Sequence, residues 1–336
     1  MAITQTAISY YGLNYVEHAE KDFQEMLEHG CTTVILAVTE FDADFWFPSI
    51  PKIVNKARKL GLRVLLDPWG IGKYFGGEQV SLFLQNNTEN RQVSAFTGEK
   101  LPHACFNTQS FRDYFQRICL KLAGETAADG FFWDEPHYAL SNTGTDDWTC
   151  RCPVCMKKFF DYYGYEMPKM MNDDVKQFRW REALFILEDT SRKIKGINPK
   201  SEITCCVLAT PSNYYVTEYR GYDNWDLVAA SPYFDVFATS ILGWDMPESL
   251  FEHITKRTVD IAKKYGKKSE RWIMNYYQQP HDFAQVDRLV NLYEKLGVDR
   301  IGAWTYRGGY GTVLAAPDAL KLWDRLGENY KRVLKK

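Results

Sequence analysis

Two acidic residues stand side by side at Asp134 and Glu135, directly after the apolar and aromatic stretch Gly130–Trp133. Neighbouring carboxylates repel each other when both are ionised, which favours a raised pKa in one member of the pair. A carboxylic acid that keeps its proton near neutral pH can protonate the leaving oxygen when a glycosidic bond is cleaved. A loop carboxylate that caps a helix or pairs with an arginine is the alternative interpretation. We expect the pair to be catalytic.

A cluster of cysteines is the second group with a chemical pattern. Cys150, Cys152 and Cys155 form a C-x-C-x-x-C sequence, and Cys105 comes earlier in the chain. Four thiolates around Zn²⁺ make a closed, structural metal site. A set of free thiols is the alternative, but three cysteines this close together favour metal ligation. Inert core thiols are expected inside the apolar patterns at Cys119, Cys205 and Cys206.

These groups need a scaffold, and strand and helix patterns alternate along the chain. The β-branched run Thr33–Thr39 is typical of a strand buried on both faces, and the segment Ser49–Leu60, stopped by Gly61, is typical of a helix. Eight such units predict an α/β fold, a closed (β/α)8 TIM barrel, rather than an open sheet. The predicted strands are Ala7–Gly12, Thr33–Thr39, Arg63–Asp67, Gly130–Asp134, Ile203–Leu208, Val236–Ser240, Trp272–Tyr276 and Arg300–Trp304.

No linker or change of composition divides the chain, so residues 1–336 are predicted to form a single barrel domain with a zinc-binding loop insertion. The net charge is −2 and the basic residues are spread along the chain, which argues against nucleic acid or a membrane surface as partners. The N-terminal sequence MAITQTAISYYG lacks a basic start followed by an apolar run, so we expect a cytoplasmic protein.

In a barrel of this type, function sits where the strands end and the next loops begin. Carboxylates and amides at these ends can bind sugar hydroxyls, and aromatic rings can stack on the flat face of a sugar. Polar residues occur at strand ends in any barrel, so each position alone means little. Together they predict a carbohydrate ligand. The candidate ligand-binding residues are Asp67, Trp69, Asn275, Tyr277, Trp244, Trp304 and Arg307.

Several stretches resemble the catalytic barrel of the glycoside hydrolase family 42 β-galactosidases. They are HACFNTQSFRDYFQRICLKLA (His103–Ala123), FFWDEP, the cysteine-rich TCRCPVCMKKFFDYYG, WIMNYYQQP (Trp272–Pro280) and GAWTYRGG. The resemblance covers nearly the whole chain, and the cysteine spacing is its most specific part. It implies a glycosidase with a β-linked substrate, a homo-oligomer, and Glu135 as the general acid/base.

Two positions depart from the pattern of that family. The family has an asparagine before the acid/base glutamate, and this chain has Asp134 there. The family nucleophile is the glutamate directly before Gln-Gln-Pro, and here Tyr277 holds that place. A retaining double displacement needs that second carboxylate. The usual mechanism is therefore in doubt.

Three explanations remain open. A 2-acetamido group of the substrate can serve as the nucleophile, with Asp134 orienting it and a tyrosine such as Tyr277 holding its oxygen. Another carboxylate of the rim can act as base for an inverting reaction or as a displaced nucleophile, the candidates being Asp67, Glu40 and Asp245. The protein can also bind carbohydrate without hydrolysing it, or perform different chemistry.

The orientation of Tyr277 is open at this point. Its place before Gln278-Gln279-Pro280 predicts a hydroxyl that faces the pocket. Side chains alternate along a strand, however, so Tyr277 can equally point outward while Asn275 or Tyr276 faces the pocket. The sequence favours neither arrangement over the other.

Overall fold

The computed structural model describes residues 3–12, 14–76, 79–140, 147–209, 219–243 and 246–335. Trp244 and Asp245, two of the predicted rim residues, lie outside these ranges. The described strands are β1 (Gln5–Tyr10), β2 (Thr33–Ala37), β3 (Arg63–Asp67), β4 (Arg91–Val93), β5 (Lys100–Ala104), β6 (Gly130–Asp134), β7 (Glu202–Val207), β8 (Val236–Thr239), β9 (Lys268–Met274) and β10 (Arg300–Trp304).

Eight of these strands close into a barrel in the order β1-β10-β9-β8-β7-β6-β3-β2, and every neighbouring pair is parallel. The apolar side chains of β2 are buried on both faces, as expected for a strand between a packed interior and a surrounding helix. The predicted (β/α)8 barrel is confirmed. Arg63–Asp67, Gly130–Asp134 and Arg300–Trp304 were predicted with the same bounds as the structure shows.

The helices cover the outside of the barrel and connect successive strands. Those described are α1 (Val16–Glu28), α2 (Glu40–Asp44), α3 (Ile50–Leu60), α4 (Leu82–Asn86), α5 (Gln109–Glu125), α6 (Pro153–Tyr163), α7 (Asp173–Ile197), α8 (Trp225–Ala229), α9 (Glu248–Lys264), α10 (Ala284–Leu296) and α11 (Ala319–Leu334). Helix α3 ends at Gly61, whose φ of 103° is left-handed, as predicted. Among the described helices, none is long and apolar enough to cross a membrane.

The seventh barrel strand differs most from its prediction. The sequence predicted Trp272–Tyr276, but β9 begins at Lys268 and ends at Met274. The first half of β9 can be polar because its Glu270 lies inside the barrel, close to the buried Arg300. Arg300 in turn forms a bidentate ion pair with Glu202. A strand whose charged residues face the barrel interior has no continuous apolar run. The apolar pattern of the sequence therefore predicted only the second half of this strand.

The segment between β3 and β6 contains a small antiparallel hairpin of β4 and β5 that the sequence analysis did not predict. Cys105 follows β5 directly, and an isolated bridge between Ser94 and Thr149 joins this region to the loop after β6. The hairpin thus brings the two long loops of the barrel into contact. The cysteines of both loops are carried to one place by this contact.

Candidate functional site

The carboxyl ends of the barrel strands surround a cavity of about 140 Å³. Four of the predicted site residues line it: Trp69, Asp134, Glu135 and Trp304. Tyr276, the named alternative to Tyr277, also lines it, together with residues that were not predicted as ligand contacts: Gly76, Cys206, Ser240, Ile241, Trp272 and Leu314. The cavity therefore combines two carboxylates with three indole rings, at the end of the barrel where this fold carries its active sites.

Asp134 and Glu135 both reach the cavity although they are adjacent in the chain. Consecutive side chains of a strand point to opposite faces. Asp134 is the last residue of β6, and Glu135 has a left-handed backbone with a φ of 42°. Non-glycine residues seldom adopt this conformation, and it is found at functional sites. It turns the chain so that the second carboxylate also faces the cavity, while the Glu135 N–H donates to the Cys206 carbonyl at 3.0 Å.

Gly76 lies against both carboxylates. A Cβ at this position would be 3.3 Å from Asp134 Oδ2 and 3.4 Å from Glu135 Oε2. The Gly76 N–H donates to the Asp134 carbonyl oxygen at 2.9 Å, which holds the glycine in this place. A side chain here would crowd both carboxylates. The absence of a side chain at Gly76 therefore lets Asp134 and Glu135 lie next to each other in the cavity wall.

A third acidic residue, Asp67, is buried next to the pair. Burial, and then the negative charge of Asp134, raise the pKa of the Asp67 carboxyl well above its ordinary range. Its Oδ1 has no hydrogen-bond partner within the described part of the chain. The neutral acid is the favoured form of Asp67, because an ionised carboxylate would lie in a dry environment beside Asp134.

Basic and imidazole groups also interact with Glu135. The guanidinium of Arg220 interacts electrostatically with Glu135, while burial, the larger effect, lowers the pKa of Arg220. His137 donates from Nδ1 to the Glu135 carbonyl at 2.7 Å if that nitrogen carries the proton. Burial and then Arg220 lower the pKa of His137. The imidazole is therefore neutral at pH 7, and Arg220 supplies the positive charge near Glu135.

Aromatic rings form the apolar part of the wall. Trp69 and Trp304 lie 5.7 Å apart between ring centroids, and Tyr11 lies 5.8 Å from each of them. Trp272 rises from the barrel interior, and Gly302 on the next strand leaves room for it, since a Cβ there would be 2.5 Å from the indole. Trp272 was not predicted as a cavity residue because the predicted strand begins at Trp272, whereas β9 begins at Lys268.

The three polar residues that follow β9 have different surroundings. Asn275 is buried and donates to the Thr305 carbonyl at 2.9 Å, so it joins two loops. Tyr276 lines the cavity. Tyr277 has a left-handed φ of 57°, is 49% exposed and is absent from the described cavity wall. Tyr276 therefore faces the cavity in place of Tyr277, which is the alternative that the alternation of side chains along a strand allowed.

Two further predicted residues have structural partners instead of a place in the cavity. Arg307 pairs with Glu25 on α1, which also accepts hydrogen bonds from Tyr306 and Trp323. Glu40 is buried and accepts hydrogen bonds from Gly72, Ser81 and Phe83, at 2.7 Å each. Both side chains hold loops to the body of the barrel. Polar residues at strand ends serve this purpose often, and spacing alone does not separate them from ligand contacts.

The four cysteines of the predicted metal site come together. The Sγ atoms of Cys105, Cys150, Cys152 and Cys155 are buried and all lie within 4.8 Å of one another. Two sulfurs bound to one tetrahedral Zn²⁺ would lie about 3.8 Å apart, given the usual Zn–S distance. The cluster could therefore bind a metal ion.

Hydrogen bonds to the sulfurs support this assignment. The Val93 N–H and the Asn107 side-chain amide each donate to a cysteine sulfur at 3.4 Å, to Cys150 and Cys155 respectively. Within the cluster, hydrogen bonds from the other three thiols lower the pKa of Cys152, whereas burial raises the pKa of Cys150 and hydrogen bonds raise that of Cys155. Outer donors of this kind are usual around metal-bound thiolates.

Comparison with models of known protein families gives no match for this sequence, and comparison with curated proteins also gives none. Solved structures are similar in fold. A GH42 β-galactosidase from G. stearothermophilus has a TM-score of 0.70 at 14% identity over 99% of this chain and 57% of its own. An endo-1,4-β-mannanase from Rhizomucor miehei has a TM-score of 0.67 at 13% identity, with 99% and 96% covered.

The catalytic domain of a β-amylase from Paenibacillus polymyxa is similar as well, with a TM-score of 0.67 at 11% identity over 96% of this chain and 97% of its own. At such identities the likeness shows a shared barrel fold. The chain spans little more than half the length of the β-galactosidase. Membership of family 42 therefore stays a prediction that rests on the sequence motifs.

Proposed function

We propose that this chain is a glycoside hydrolase that binds a β-linked sugar in the cavity at the carboxyl end of the barrel. The observation that carries the proposal is the shared cavity of Asp134, Glu135 and the indoles of Trp69, Trp272 and Trp304. Carboxylates bind hydroxyl groups and transfer protons, while indole rings cover the apolar face of a sugar. The glycosidase structures with the same fold support this assignment.

Glu135 is proposed as the general acid/base, and the substrate supplies the nucleophile. The carbonyl oxygen of a 2-acetamido group attacks the anomeric carbon, while the Glu135 carboxyl gives its proton to the leaving oxygen. The Glu135 carboxylate then takes a proton from water, which opens the cyclic intermediate and restores the acetamide. Asp134 orients the acetamide N–H, and the Tyr276 hydroxyl donates to the acetamide oxygen.

Within the described part of the chain, which does not include Asp245, the composition of the cavity wall favours this mechanism over a second protein carboxylate. Among the described residues of the wall, the carboxylates are Asp134 and Glu135. Asp67, a candidate base for an inverting reaction, is favoured in its neutral form by burial and by Asp134. Glu40 accepts hydrogen bonds from three donors of the loop that follows β3. Neither is free to activate a water molecule.

The cysteine cluster is proposed to bind Zn²⁺ in a structural role. When bound, the ion would join the two long loops that follow β3 and β6. Cys105, Cys150, Cys152 and Cys155 would be its ligands, which leaves no open position for substrate. The ion would therefore stabilise the walls of the site and take no part in the reaction.

A panel of nitrophenyl β-glycosides tests the reaction. We expect turnover of an N-acetylglucosaminide or an N-acetylgalactosaminide, and much slower turnover of the matching glucoside, galactoside and mannoside. Equal rates with and without the acetamido group would rule out substrate assistance. Binding of these sugars in calorimetry with no turnover of any of them would instead support the second candidate function, a carbohydrate-binding protein. The absence of a family nucleophile at Tyr277 is the observation behind that candidate.

A further inference from the structure

A second group of aromatic residues lies on the rim of the barrel, outside the cavity. Tyr15 follows β1, and Phe41, Phe45 and Trp46 follow β2, so all four lie at the carboxyl end of neighbouring strands. Tyr15, Phe41 and Phe45 are 55%, 50% and 65% exposed, and Trp46 is half-buried. We call these four residues the rim strip. Apolar side chains that share an exposed patch commonly mark a binding site.

The rings of the rim strip form a continuous row. Centroids of neighbouring rings lie 5.6 Å apart for Tyr15 and Trp46, 5.3 Å for Trp46 and Phe45, and 5.0 Å for Phe45 and Phe41. The last two rings are nearly parallel, at 8°. A row of adjoining rings offers a surface on which consecutive flat groups of a ligand can stack.

The row is held in place before any ligand arrives. Helix α2, which carries Phe41, begins with a capping box in which Thr39 and Asp42 exchange hydrogen bonds between side chain and backbone. This motif fixes the first turn of a short helix that would otherwise be only marginally stable. Binding to a fixed surface loses less conformational entropy than binding to a mobile one.

A short loop connects the rim strip to the aromatic rings beside the cavity. Tyr11, which contacts Trp69 and Trp304, lies on the same loop as Tyr15, four positions before it. One connected loop thus carries an aromatic ring at the cavity and another at the rim strip. A ligand that leaves the cavity on the side of β1 and β2 would meet the strip.

The size of the cavity requires that a longer ligand leave it. A volume of about 140 Å³ is well below the roughly 300–1,000 Å³ of pockets that enclose a whole drug-sized ligand, so we expect the cavity to enclose a single sugar unit. The next units of an oligosaccharide must lie outside, where flat apolar rings are the surface that suits them.

We propose that the rim strip binds the outer units of a β-linked oligosaccharide whose cleaved unit occupies the cavity. The inference rests on the proposed function and makes it more specific: the substrate is a chain of several sugars. The strip selects for chain length, because a disaccharide is too short to cover it. Its rings touch no reacting atoms and act on affinity alone.

Calorimetric titration of the Glu135→Gln protein tests the proposal, because hydrolysis would otherwise consume the ligand. The probes are disaccharides and hexasaccharides of β-1,4-linked N-acetylglucosamine, mannose and galactose. In at least one series we expect the hexasaccharide to bind about tenfold more tightly than the disaccharide, from two or more stacking contacts. Adding Tyr15→Ala and Phe45→Ala should remove this gain and leave disaccharide affinity unchanged. Phe160→Ala, which removes an exposed ring of α6, is the matched control and should keep the gain.

Three results would overturn the proposal: equal affinity for both lengths in all series, a gain that survives the double substitution, or a gain that the Phe160 control also loses. Sedimentation velocity separates a further case. If the wild type forms an assembly that the double variant cannot form, with glycan affinity unchanged, a second copy of the chain covers the strip and the proposal is wrong.

The proposed function and this inference fail separately. A length-dependent affinity that needs the strip, with no cleavage by the wild type, would retain the inference and reject the hydrolase. Cleavage of a disaccharide with no gain from longer chains would do the reverse.

Discussion

The indole N–H of Trp272 donates a hydrogen bond to the carboxylate of Glu270 at 2.7 Å. This bond links a residue of the cavity wall to an acidic group buried inside the barrel. Burial raises the pKa of Glu270 to about 7, and the opposing effects of Arg300 and of the Trp272 hydrogen bond only partly reduce that shift. The charge beneath the cavity therefore changes near neutral pH.

Glu270 should make stability depend on pH. Its pKa is raised in the folded protein from an ordinary value of 4.5, so its contribution is fully present below about pH 4.5 and is lost as pH rises through about 7. Glu270→Gln mimics the neutral form and should be more stable than the wild type at pH 8, by up to about 3 kcal/mol. Urea unfolding at pH 5 and pH 8 measures this. Glu252→Gln, on the exposed surface of α9, is the control, and an equal pH response in both variants would contradict the prediction.

Glu135→Gln should remove turnover and keep the fold. A general acid/base contributes about 10²–10⁴-fold to the rate, so kcat on the best nitrophenyl substrate should fall by that factor. Affinity for an uncleaved sugar should be retained, because the amide keeps the size of the carboxyl group. Glu166→Gln, on the exposed loop after α6, should leave kcat unchanged. A full rate in Glu135→Gln would exclude this residue from the mechanism.

Tyr276 and Tyr277 should differ in their effect on catalysis. Tyr276 lines the cavity, so Tyr276→Phe should lower kcat by about tenfold, the usual effect of one lost hydrogen bond to a polar group. Tyr277→Phe should change kcat little, because this ring lies outside the described cavity wall. The same steady-state assay measures both variants. The opposite ranking would return the role to Tyr277.

Purified protein should contain one Zn²⁺ per chain by elemental analysis. Cys152→Ser and Cys105→Ser should each lose the metal, since either removes one of four thiolates, and both should unfold at lower urea concentration than the wild type. Cys119→Ser, in the packed face of α5, should keep the metal and serves as the control. Full metal content in either ligand variant would contradict the site.

Much of the barrel was predictable because most of its strands have the apolar sequence that a buried strand requires. Arg63–Asp67 and Arg300–Trp304 have apolar centres, as a strand packed on both faces requires. The exception is β9, where Glu270 and Arg271 are charged and buried. Arg271 donates to Thr239 of β8, and Glu270 interacts with Arg300 of β10 as well as with Trp272 of β9 itself. The stability of this polar strand therefore depends on neighbouring strands of the closed barrel.

The site was predictable in its carboxylates and less so in its other members. Asp134 and Glu135 follow a strand directly, and strand ends converge in this fold. Gly76 comes from the middle of a long loop, and no local pattern locates it against the carboxylates. The backbones of Tyr277 and Arg307 are both left-handed, with φ of 57° and 50°, and no sequence pattern predicts these conformations. Such single-residue turns of the backbone decide which side chain faces a ligand.

Glu40 is a position outside the cavity wall at which a mutation should impair the proposed site. Its carboxylate holds Gly72, Ser81 and Phe83, and Gly76, which lies against Asp134 and Glu135, is part of the same loop. An allele that alters Glu40 would release this loop and displace the glycine behind both acidic groups. Its phenotype in a genetic screen would match that of a catalytic lesion. The proposed activity thus depends on the correct residue at position 40, although Glu40 does not line the cavity.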